Sequence, residues 1–217
     1  MFELVVATRN KKKLSEIKEI LKDIDLELLS LDSYKFAPQV VENGKTFRAN
    51  AIKKAVKLAR FTGAFCLGED SGLCVDVLDG APGIRSARFS GKPACPAGRN
   101  KSDLSNNLKL LKLLAGLPLQ KRKAHYVCAV ALADKGGLIG VVEGECPGLI
   151  ALVSKGSAGF GYDPLFYIPK YKKTFAQLGE KIKHKMSHRY YALSKAKRII
   201  QKYIVKKNVI RGVAQLG

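Results

Sequence analysis

Two adjacent acids, Glu69 and Asp70, stand between two apolar runs and are the residues best suited to chemistry. The first run ends at Leu67 and the second begins at Leu73, so the sequence predicts two strands with the acids at their junction. Adjacent carboxylates repel each other unless a bound cation or a role as a base stabilises them. The pair therefore indicates a metal site. The alternative is a solvated turn, because Asp-Ser-Gly is common turn chemistry.

A strand, a turn and a helix at the start of the chain form a second candidate site. Residues 2–7 are apolar apart from Glu3 and predict a buried strand, and residues 11–22 have the spacing of an amphipathic helix. The turn between them contains Thr8 and Asn10 and leads into three lysines. A helix N-terminus suits a phosphate, whereas lysines there oppose the helix dipole unless an anion binds them. The alternative is a lysine-rich turn in contact with solvent.

The next predicted helix carries two polar side chains on one face. It covers residues 46–60, with Thr46 as its candidate N-cap. Asn50 and Lys54 are four residues apart in this helix, so both can contact one ligand. Glu42 lies in the irregular segment that precedes the helix.

A glycine-rich loop at residues 156–164 offers a surface for a nucleotide base. Bases stack on aromatic side chains for roughly 1–3 kcal/mol each, and Phe160 and Tyr162 lie in this loop. Asp163 precedes a proline, which holds it extended, and it could accept hydrogen bonds from a base or a ribose. The alternative is a structural turn whose two aromatic residues belong to the core.

Basic side chains cluster just ahead of the last predicted helix. Lys183, His188 and Arg189 precede a helix over residues 190–204, for which Ser187 is the candidate N-cap. Residues 205–217 show no periodicity and predict a frayed tail.

These candidates have to be positioned by helices alternating with early strands and by a later sheet rich in hairpins. The later strands are joined tightly and are therefore antiparallel to one another. Further strands are predicted at residues 26–31, 125–133, 138–142 and 149–153, with turns at 134–137 and 143–148. A helix beginning at Ser102 or Asp103 would turn four leucines inward, namely Leu104, Leu108, Leu111 and Leu114. The predicted fold class is mixed α/β.

The chain is strongly basic. Its 217 residues include 39 basic and 18 acidic residues, a formal net charge of +21. From Lys170 onward there are 14 basic residues and one acid. Such a charge indicates a polyanionic partner, which could be nucleic acid, an anionic membrane or a polyanionic small molecule.

The cysteines and the apolar runs indicate the cellular compartment in which the protein is expected. The 5 cysteines form no C-x-x-C pair and the 3 histidines supply no zinc motif; Cys66, Cys74 and Cys128 are predicted core residues. The N-terminus lacks the basic region and cleavage site of a signal peptide, and no apolar run approaches the roughly 18 residues of a membrane span. We therefore expect a cytoplasmic protein that does not enter membranes.

Six motifs together resemble the inosine triphosphate pyrophosphatase family, also called dITP/XTP pyrophosphatases. They are Thr8-Arg-Asn-Lys-Lys-Lys13, Asn50-Ala-Ile-Lys-Lys-Ala55, Glu69-Asp-Ser-Gly-Leu73, Gly80-Ala-Pro-Gly-Ile-Arg-Ser-Ala-Arg88, Gly159-Phe-Gly-Tyr-Asp-Pro164 and Ser187-His-Arg189. The resemblance extends from Val5 to about Ile200. Each motif alone is weak, whereas six in the order and spacing of the family are specific.

The resemblance implies an elongated mixed α/β fold of two lobes around a long central mixed sheet with flanking helices. The active site would lie in the cleft between the lobes, and residues 1–204 would form a single domain. The implied reaction is hydrolysis of ITP, dITP or XTP to the monophosphate and pyrophosphate, which removes deaminated purines from the nucleotide pool. The implied cofactor is Mg²⁺, and the implied assembly is a homodimer in the cytoplasm.

The resemblance also implies roles at the phosphates. Glu42 and Asp70 would ligate Mg²⁺ with Glu69 close by, and Asp70 would be the general base for the attacking water. Substrate contacts are implied for the first turn, the two helices and the serine after Asp70: Thr8, Arg9, Asn10, Lys11, Lys12, Lys13, Asn50, Lys54 and Ser71.

At the base, the resemblance implies that Phe160 stacks on the purine, with its neighbours beside it. The implied base contacts are Phe160, Gly161, Tyr162, Asp163, Lys183, His188 and Arg189. The last three would donate to the 6-oxo oxygen of the base. Adenine carries an amino group there, and a buried unpaired donor costs roughly 1–3 kcal/mol, which rejects ATP.

Four positions depart from the family pattern. Arg9 stands where Gly is frequent, and a positive φ there would strain it. Ala49 replaces a Glu, Glu69 replaces an Asp, and Ala158 replaces a Gly.

Two other functions stay open at this point. A basic nucleic-acid-binding protein would bind DNA or RNA with a steep salt dependence, although basic residues interleaved with aromatics are missing outside residues 158–191. A pyrophosphatase for other modified nucleotides would read a different base, and the motifs argue against it by resemblance alone. The basic C-terminal third also predicts a weak, non-specific affinity for nucleic acid.

Overall fold

The computed structural model of the chain describes residues 2–91 and 101–214. Residues 92–100, which include Cys95 and for which the proline and glycine content predicts a loop, lie outside the described residues, as do the last residues of the predicted tail. The strands are β1 (Phe2–Val6), β2 (Leu26–Ser30), β3 (Cys66–Val75), β4 (Lys123–Asp134), β5 (Gly137–Ile150), β6 (Phe166–Ile168) and β7 (Lys173–Thr174). The α-helices are α1 (Lys11–Leu21), α2 (Phe47–Thr62), α3 (Lys101–Leu113), α4 (Phe175–Leu178), α5 (Glu180–Lys183) and α6 (His188–Ala214).

The described strands form one mixed sheet in the order β2-β1-β3-β4-β5-β6-β7. The strand β1 is parallel to β2 and β3, because α1 and α2 return the chain to the same end of the sheet. The later neighbours are antiparallel, and the hairpin predicted at residues 134–137 is confirmed. The predicted mixed α/β class is confirmed, while the division into two lobes stays a prediction.

The strands β3 and β5 are each longer than the sequence predicts. β3 pairs with β4 over its whole length, so Glu69 and Asp70 lie inside one strand and not at a junction between two. β5 likewise continues through residues 143–148, for which the sequence predicts a turn. Both predictions are wrong because charged and glycine residues usually end strands, whereas these are held by pairing with β4.

The inward side predicted for α3 is confirmed at Leu114 and at Leu111, which packs against the core, and is wrong at Leu104 and Leu108. Leu104 and Leu108 are 62% and 58% exposed, whereas Leu110 and Leu114 are fully buried. Leucines occur on two sides of this helix, so periodicity alone could not select the inward side.

The helix α6 continues ten residues beyond the predicted end at Ile204, so the irregular tail is wrong for residues 205–214. Within this extension, Lys207 pairs with Asp134 at 3.6 Å and lies over the ring of Tyr203. Tyr203 anchors the helix just before the extension. Its ring stacks on Phe65 at 4.1 Å between centroids, and its hydroxyl donates to Asp134 at 2.9 Å. None of the described helices combines the length and apolar content needed to cross a bilayer.

Helices pack on both faces of the sheet, and two glycines allow their backbones to approach it closely. On one face, a Cβ on Gly68 would lie 2.3 Å from the carbonyl oxygen of Ala51 in α2. On the other face, a Cβ on Gly144 would lie 2.3 Å from the nitrogen of Ala192 and 2.4 Å from the carbonyl oxygen of His188 in α6. The sheet therefore fixes the depth of both helices, and both carry candidate site residues.

We predict that Gly144→Ala destabilises the fold, because the new Cβ meets the backbone of α6, which cannot rotate away. Overpacking of this kind typically costs about 1–3 kcal/mol. Chemical denaturation measures the free energy of unfolding. The matched control is Gly140→Ala in the same strand, whose Cβ would meet only the flexible side chain of Ile199 at 3.1 Å. Equal losses in the two variants would contradict this account.

Candidate active site

The strand β3 separates Glu69 and Asp70 onto opposite faces of the sheet, because successive side chains of a strand alternate. Asp70 contacts side chains of α2, and Glu69 contacts side chains of α1 and α6. Each carboxylate therefore has its own cationic partners. The prediction of one shared cation site for the adjacent pair is wrong.

Asp70 is buried in a cluster with residues of α2. Its Oδ1 lies 3.0 Å from the Nζ of Lys54, and its Oδ2 accepts a hydrogen bond of 3.0 Å from the Nδ2 of Asn50. The same Lys54 ammonium lies 3.0 Å from an oxygen of Glu42. Burial raises the pKa of Asp70 above its ordinary value, and Lys54 and Lys13 only partly oppose this effect. A carboxylate with a raised pKa is a stronger base.

The residues predicted to bind a metal fit a magnesium ion as a partial ligand set. Glu42 and Asp70 converge on one cationic group, the Lys54 ammonium. Within the described residues, no group of three or more His, Cys, Asp or Glu side chains could hold a metal by itself. Mg²⁺ is often bound by one or two carboxylates together with substrate phosphates and water, so two carboxylates satisfy the protein's share.

On the other face of β3, six charged side chains alternate in sign, and we call this series the charge chain. It consists of Asp163, Lys183, Glu16, Arg189, Glu69 and Lys13. The series connects the 156–164 loop to the first turn of α1. Its formal charge is zero, so the buried cations are compensated within the protein.

Arg189 is the centre of the charge chain and is fully buried. Its guanidinium pairs with Glu16, and its Nη2 lies 2.9 Å from Glu69 and 3.1 Å from the Oγ of Ser71. Burial would raise the pKa of Glu16, but Arg189 and Lys183 outweigh it and lower that pKa to about 2. Burial also opposes ionisation of Glu69, and Arg189 and Lys13 reverse this effect and hold its pKa well below the usual range. Both acids are therefore charged at neutral pH.

Two lysines form the outer parts of the charge chain. The Nζ of Lys183 lies 2.8 Å from both Glu16 and Asp163, and that of Lys13 lies 2.8 Å from Glu69 and 3.1 Å from the Oγ of Ser71. Burial would lower the pKa of Lys183, but its two carboxylate partners raise it. This lysine is therefore a fixed cation.

The first turn of α1 is capped by the protein itself. The Oδ1 of Asn10 accepts hydrogen bonds from the backbone N–H groups of Lys12 and Lys13 at 3.0 and 3.2 Å. The Oγ of Thr8 accepts from the N–H of Asn10 at 3.1 Å. Two N–H groups that a phosphate could use are therefore already bonded, and the lysine side chains are the main cationic groups of this turn.

Neighbouring basic residues of the turn are exposed. Arg9 donates to the carbonyl oxygen of Ala37 at 3.3 Å and is not among the described residues with positive φ, so its departure from glycine causes no strain. Lys11 is exposed, and Lys12 donates to the carbonyl oxygen of Gly159 at 3.2 Å.

Phe160 is partly buried and lies against the cations of the charge chain. The Nζ of Lys183 is 4.7 Å from the centre of its ring, and the guanidinium carbon of Arg189 is 5.9 Å away. Asp163 is buried and accepts hydrogen bonds from the N–H of Phe160 at 2.9 Å and from Lys183. Asp163 thus fixes the loop, and the oxygen that makes both bonds is already occupied.

The helix α3 holds the same loop from its other side. The N–H of Gly161 donates to Asp103 at 2.9 Å, and its carbonyl oxygen accepts from Asn107 at 3.1 Å. Tyr162 is buried, and its hydroxyl donates to the carbonyl oxygen of Ser86 at 2.8 Å. Tyr162 is therefore a core residue, as the alternative interpretation of this loop as a structural turn predicts. Its side chain also borders the cleft described below.

His188 is buried and stacks on Tyr126 at 4.6 Å between ring centres. Burial and the nearby cations Arg189 and Lys183 lower the pKa of His188 well below its usual value, so its imidazole is neutral at neutral pH. Its Nδ1 and the Nε of Arg189 are buried and have no hydrogen-bond partner among the described residues. Ser187 accepts from the N–H of Tyr190 at 3.1 Å, which confirms it as the cap of α6.

A cleft of about 850 Å³, including solvent at its mouth, brings most of the predicted base contacts together. Its lining includes ten predicted residues: Asn10, Lys13, Ser71, Phe160, Gly161, Tyr162, Asp163, Lys183, His188 and Arg189. Lys11 and Lys12 instead border a second cavity of about 600 Å³ on another side of Phe160. The remaining predicted residues line neither cavity: Thr8, Arg9, Glu42, Asn50, Lys54 and Asp70.

Several residues of the site were not predicted. Glu16 lies on the inner side of α1, next to the buried Ile17, and an acid on an apolar face was the available signal. Asp103 and Asn106 line the cleft from α3, and the sequence predicts Asp103 only as the start of a helix. Ser86 lies in the motif at residues 80–88 but is given no role there, and Tyr126 gives no signal, because it looks like an ordinary strand residue.

Comparisons with known proteins agree with this arrangement. A sequence model of the Ham1 family matches residues 4–199. The chain is 46% identical over 207 residues to a dITP/XTP pyrophosphatase of Desulforamulus reducens, covering 95% of this chain and 100% of the relative. It is 46% identical over 194 residues to a dITP/XTP pyrophosphatase of Geobacter sulfurreducens, covering 89% and 94%. The solved structure of a HAM1 protein from Coxiella burnetii superposes with a TM-score of 0.81 at 34% identity and covers 93% of this chain and 100% of that one.

Proposed function

The chain belongs to the Ham1 family, and we propose that it hydrolyses non-standard purine nucleoside triphosphates such as dITP, XTP and ITP to the monophosphate and pyrophosphate. The similar relatives are named dITP/XTP pyrophosphatases. The observation that carries the proposal is the placement of a base-sized cleft and a buried carboxylate cluster on the two faces of one strand, β3. A nucleotide that reaches across this strand presents its base to the cleft and its phosphates to the carboxylate cluster.

The cleft suits a purine with an oxygen at position 6. Arg189 and the neutral His188 each carry a buried nitrogen without a partner among the described residues, and buried polar groups are nearly always hydrogen-bonded. An N–H group at either position can donate to the 6-oxo oxygen of hypoxanthine or xanthine. Adenine offers an amino group instead and leaves such a donor unpaired, which costs roughly 1–3 kcal/mol.

The cluster around Asp70 suits hydrolysis of a phosphoric anhydride. We assign Asp70 as the general base, which accepts a proton from water as the water oxygen bonds to phosphorus and the bond to the pyrophosphate oxygen breaks. Lys54 and Lys13 offset the negative charge of the triphosphate. Glu42 and Asp70 would hold Mg²⁺, which supplies positive charge to the phosphates and acts as a Lewis acid when bound.

We predict that a chelator abolishes pyrophosphate release and that added Mg²⁺ restores it, because the two carboxylates alone do not supply a Lewis acid. The measurement is initial rate with ITP in EDTA, followed by titration with Mg²⁺. Undiminished turnover in EDTA would contradict the metal assignment.

One assay tests the proposed function. The chain with Mg²⁺ is given ITP, dITP, XTP, ATP, GTP and dUTP separately, and pyrophosphate release is followed. We expect the three deaminated purine nucleotides to be the preferred substrates. Preference for dUTP would favour a pyrophosphatase for other modified nucleotides, and release from none of them would reject the proposal.

We predict that Asp70→Asn lowers kcat by about 10²–10⁴-fold, the usual contribution of a general base. The amide keeps the shape of the side chain, so the circular dichroism spectrum should not change. The matched control is Asp76→Asn, which neutralises a half-exposed acid that pairs only with His125 among the described residues. If Asp70→Asn turned over ITP at a rate near that of the unaltered chain, Asp70 would not be the general base.

The outer face of α6 supports a weak, non-specific affinity for nucleic acid. Lys195, Arg198, Lys202 and Lys206 recur every three or four residues and are exposed, and such a stripe attracts phosphate backbones. We predict that Lys202→Gln with Lys206→Gln weakens salt-dependent binding to a DNA duplex without changing turnover. The control pair Lys53→Gln and Lys57→Gln removes the same charge at the same spacing from α2. Equal weakening by both pairs would show that net charge alone is responsible.

Two further proposals rest on the resemblance to the family. We propose that the chain forms a homodimer, which sedimentation equilibrium would test, with a monomer mass as the contrary result. We also propose a cytoplasmic location, which cell fractionation would test, with recovery outside the cytoplasm as the contrary result.

A further inference from the structure

We infer that the polar side of α3 positions the stacking ring of the base site: Asp103 and Asn107 hold the two hydrogen-bonding groups of Gly161 and thereby set the direction of Phe160. The inference rests on the proposed function and on the stacking of the base on Phe160 that the resemblance to the family implies. It adds two residues of α3 that lie outside the motif segments. Asn107 acts through the loop, because it does not line the cleft.

The ring of Phe160 is not held in one direction by packing. It borders both the cleft and the second cavity, so there is open space on two of its sides. Its neighbours are Gly159 and Gly161, whose φ angles of 77° and 61° lie in the left-handed region that glycine adopts freely. A Cβ on Gly161 would meet no atom within 4 Å. The direction of the ring therefore depends on the hydrogen bonds that hold the backbone of the loop.

Two side chains of α3 supply hydrogen bonds to this backbone. Asp103 and Asn107 are four residues apart and therefore lie on the same side of the helix. The Oδ2 of Asp103 accepts from the N–H of Gly161 at 2.9 Å, and the Nδ2 of Asn107 donates to its carbonyl oxygen at 3.1 Å. Both peptide groups that flank Gly161 are thereby fixed, and the first of them is bonded to the Cα of Phe160.

The helix α3 is itself held at both ends, so it can serve as a fixed support. Near its start, Asn106 is buried and donates to the carbonyl oxygen of Ser86 at 3.3 Å. Beyond its end, the buried Arg122 donates to the carbonyl oxygens of Leu114 at 2.8 Å and of Ala151 at 3.2 Å. These bonds join the helix to the wall of the cleft and to the segment that follows β5. The position of the loop is therefore referred to the sheet through α3.

The environment of Asn107 indicates a positioning role more than a contribution to stability. Its side chain is buried, and its Oδ1 has no hydrogen-bond partner among the described residues. A buried polar atom without a partner opposes folding, so an apolar side chain of similar size would serve stability equally well. The bond from its Nδ2 to Gly161 is the feature that explains an amide at this position.

The test is Asn107→Leu, which keeps the approximate size of the side chain and removes the donor. Titration calorimetry with Mg²⁺ measures binding of the α,β-methylene analogues of ITP and ATP, which cannot be hydrolysed at that bond. We expect the Kd of both analogues to rise by the same factor, about two- to tenfold, the equivalent of one neutral hydrogen bond. The factor is shared because every base presents a face for stacking. The kcat for ITP and the melting temperature should change little.

The matched control is Lys109→Met, which removes another donor of α3. Lys109 donates to the carbonyl oxygen of Phe89 at 2.7 Å, outside the base loop, and we expect no change in either Kd. An unchanged Kd for both analogues in Asn107→Leu would overturn the inference. So would a rise for the ITP analogue alone, which would assign Asn107 to reading the base, or a fall in melting temperature and kcat without a change in Kd, which would show a structural role.

The opposite polarity of the two bonds gives a second test, which serves if Asn107→Leu does not fold. Gly161 needs an acceptor at position 103 and a donor at position 107. Asp103→Asn keeps an acceptor, whereas the carboxylate of Asn107→Asp has no donor and faces a carbonyl oxygen. We therefore expect Asn107→Asp to raise the Kd of both analogues more than Asp103→Asn does. Equal effects, or the reverse order, would contradict the inference.

The binding measurement separates this inference from the proposed function. A chain that binds the analogues but releases no pyrophosphate from any nucleotide would reject the proposed function and leave the comparison of the variants decisive. If the unaltered chain bound neither analogue, both the proposed function and the inference would be rejected.

Discussion

Burial of the Arg189 guanidinium is the constraint on which the site depends. Removing a charge from water costs several kcal/mol unless partners compensate it, and Arg189 is fully buried. Its compensation comes from Glu16 on α1 and Glu69 on β3. Three segments far apart in the chain must therefore meet for the arginine to be tolerated, so the fold that satisfies this charge also assembles the cleft that we propose as the base site.

The alternation of side chains in β3 gives the site its division of tasks. Because Glu69 and Asp70 point to opposite faces, Glu69 pairs with Arg189 and Lys13, while Asp70 pairs with Lys54 in the cluster to which we assign hydrolysis. Glycines that bring α2 and α6 close to the sheet keep the Asp70 cluster and the charge chain within one side-chain length of the strand. Adjacent acids that would repel as a pair are therefore held apart. The backbone between them connects the Asp70 cluster to the charge chain, because Lys54 donates to the carbonyl oxygen of Glu69 at 3.0 Å.

The sequence predicts features that depend on neighbouring residues, and it misses features that depend on strand pairing or ion pairing between distant segments. The caps Thr46 and Ser187 follow from neighbouring residues and are confirmed. The interruption predicted at Glu69 is wrong, because β4 supplies a partner strand that no local pattern reveals. Glu16 was missed for the same reason, since its partners lie 167 and 173 residues away. The motif residues of the cleft could be predicted, whereas the acids that hold them required the structure.

In the proposed function, the zero net charge of the charge chain lets a strongly basic protein select a neutral base. A purine needs donors in fixed directions, and cations bound by carboxylates supply these without a surplus of charge that would attract any phosphate into the base site. A triphosphate carries about four negative charges, so cations in addition to Lys54 and Lys13, which pair with carboxylates, favour its binding. Lys11 and Lys12 are exposed and have no carboxylate partner among the described residues. In the proposed function, the neutral charge chain therefore accepts the base, and the exposed lysines add to the attraction for the phosphates.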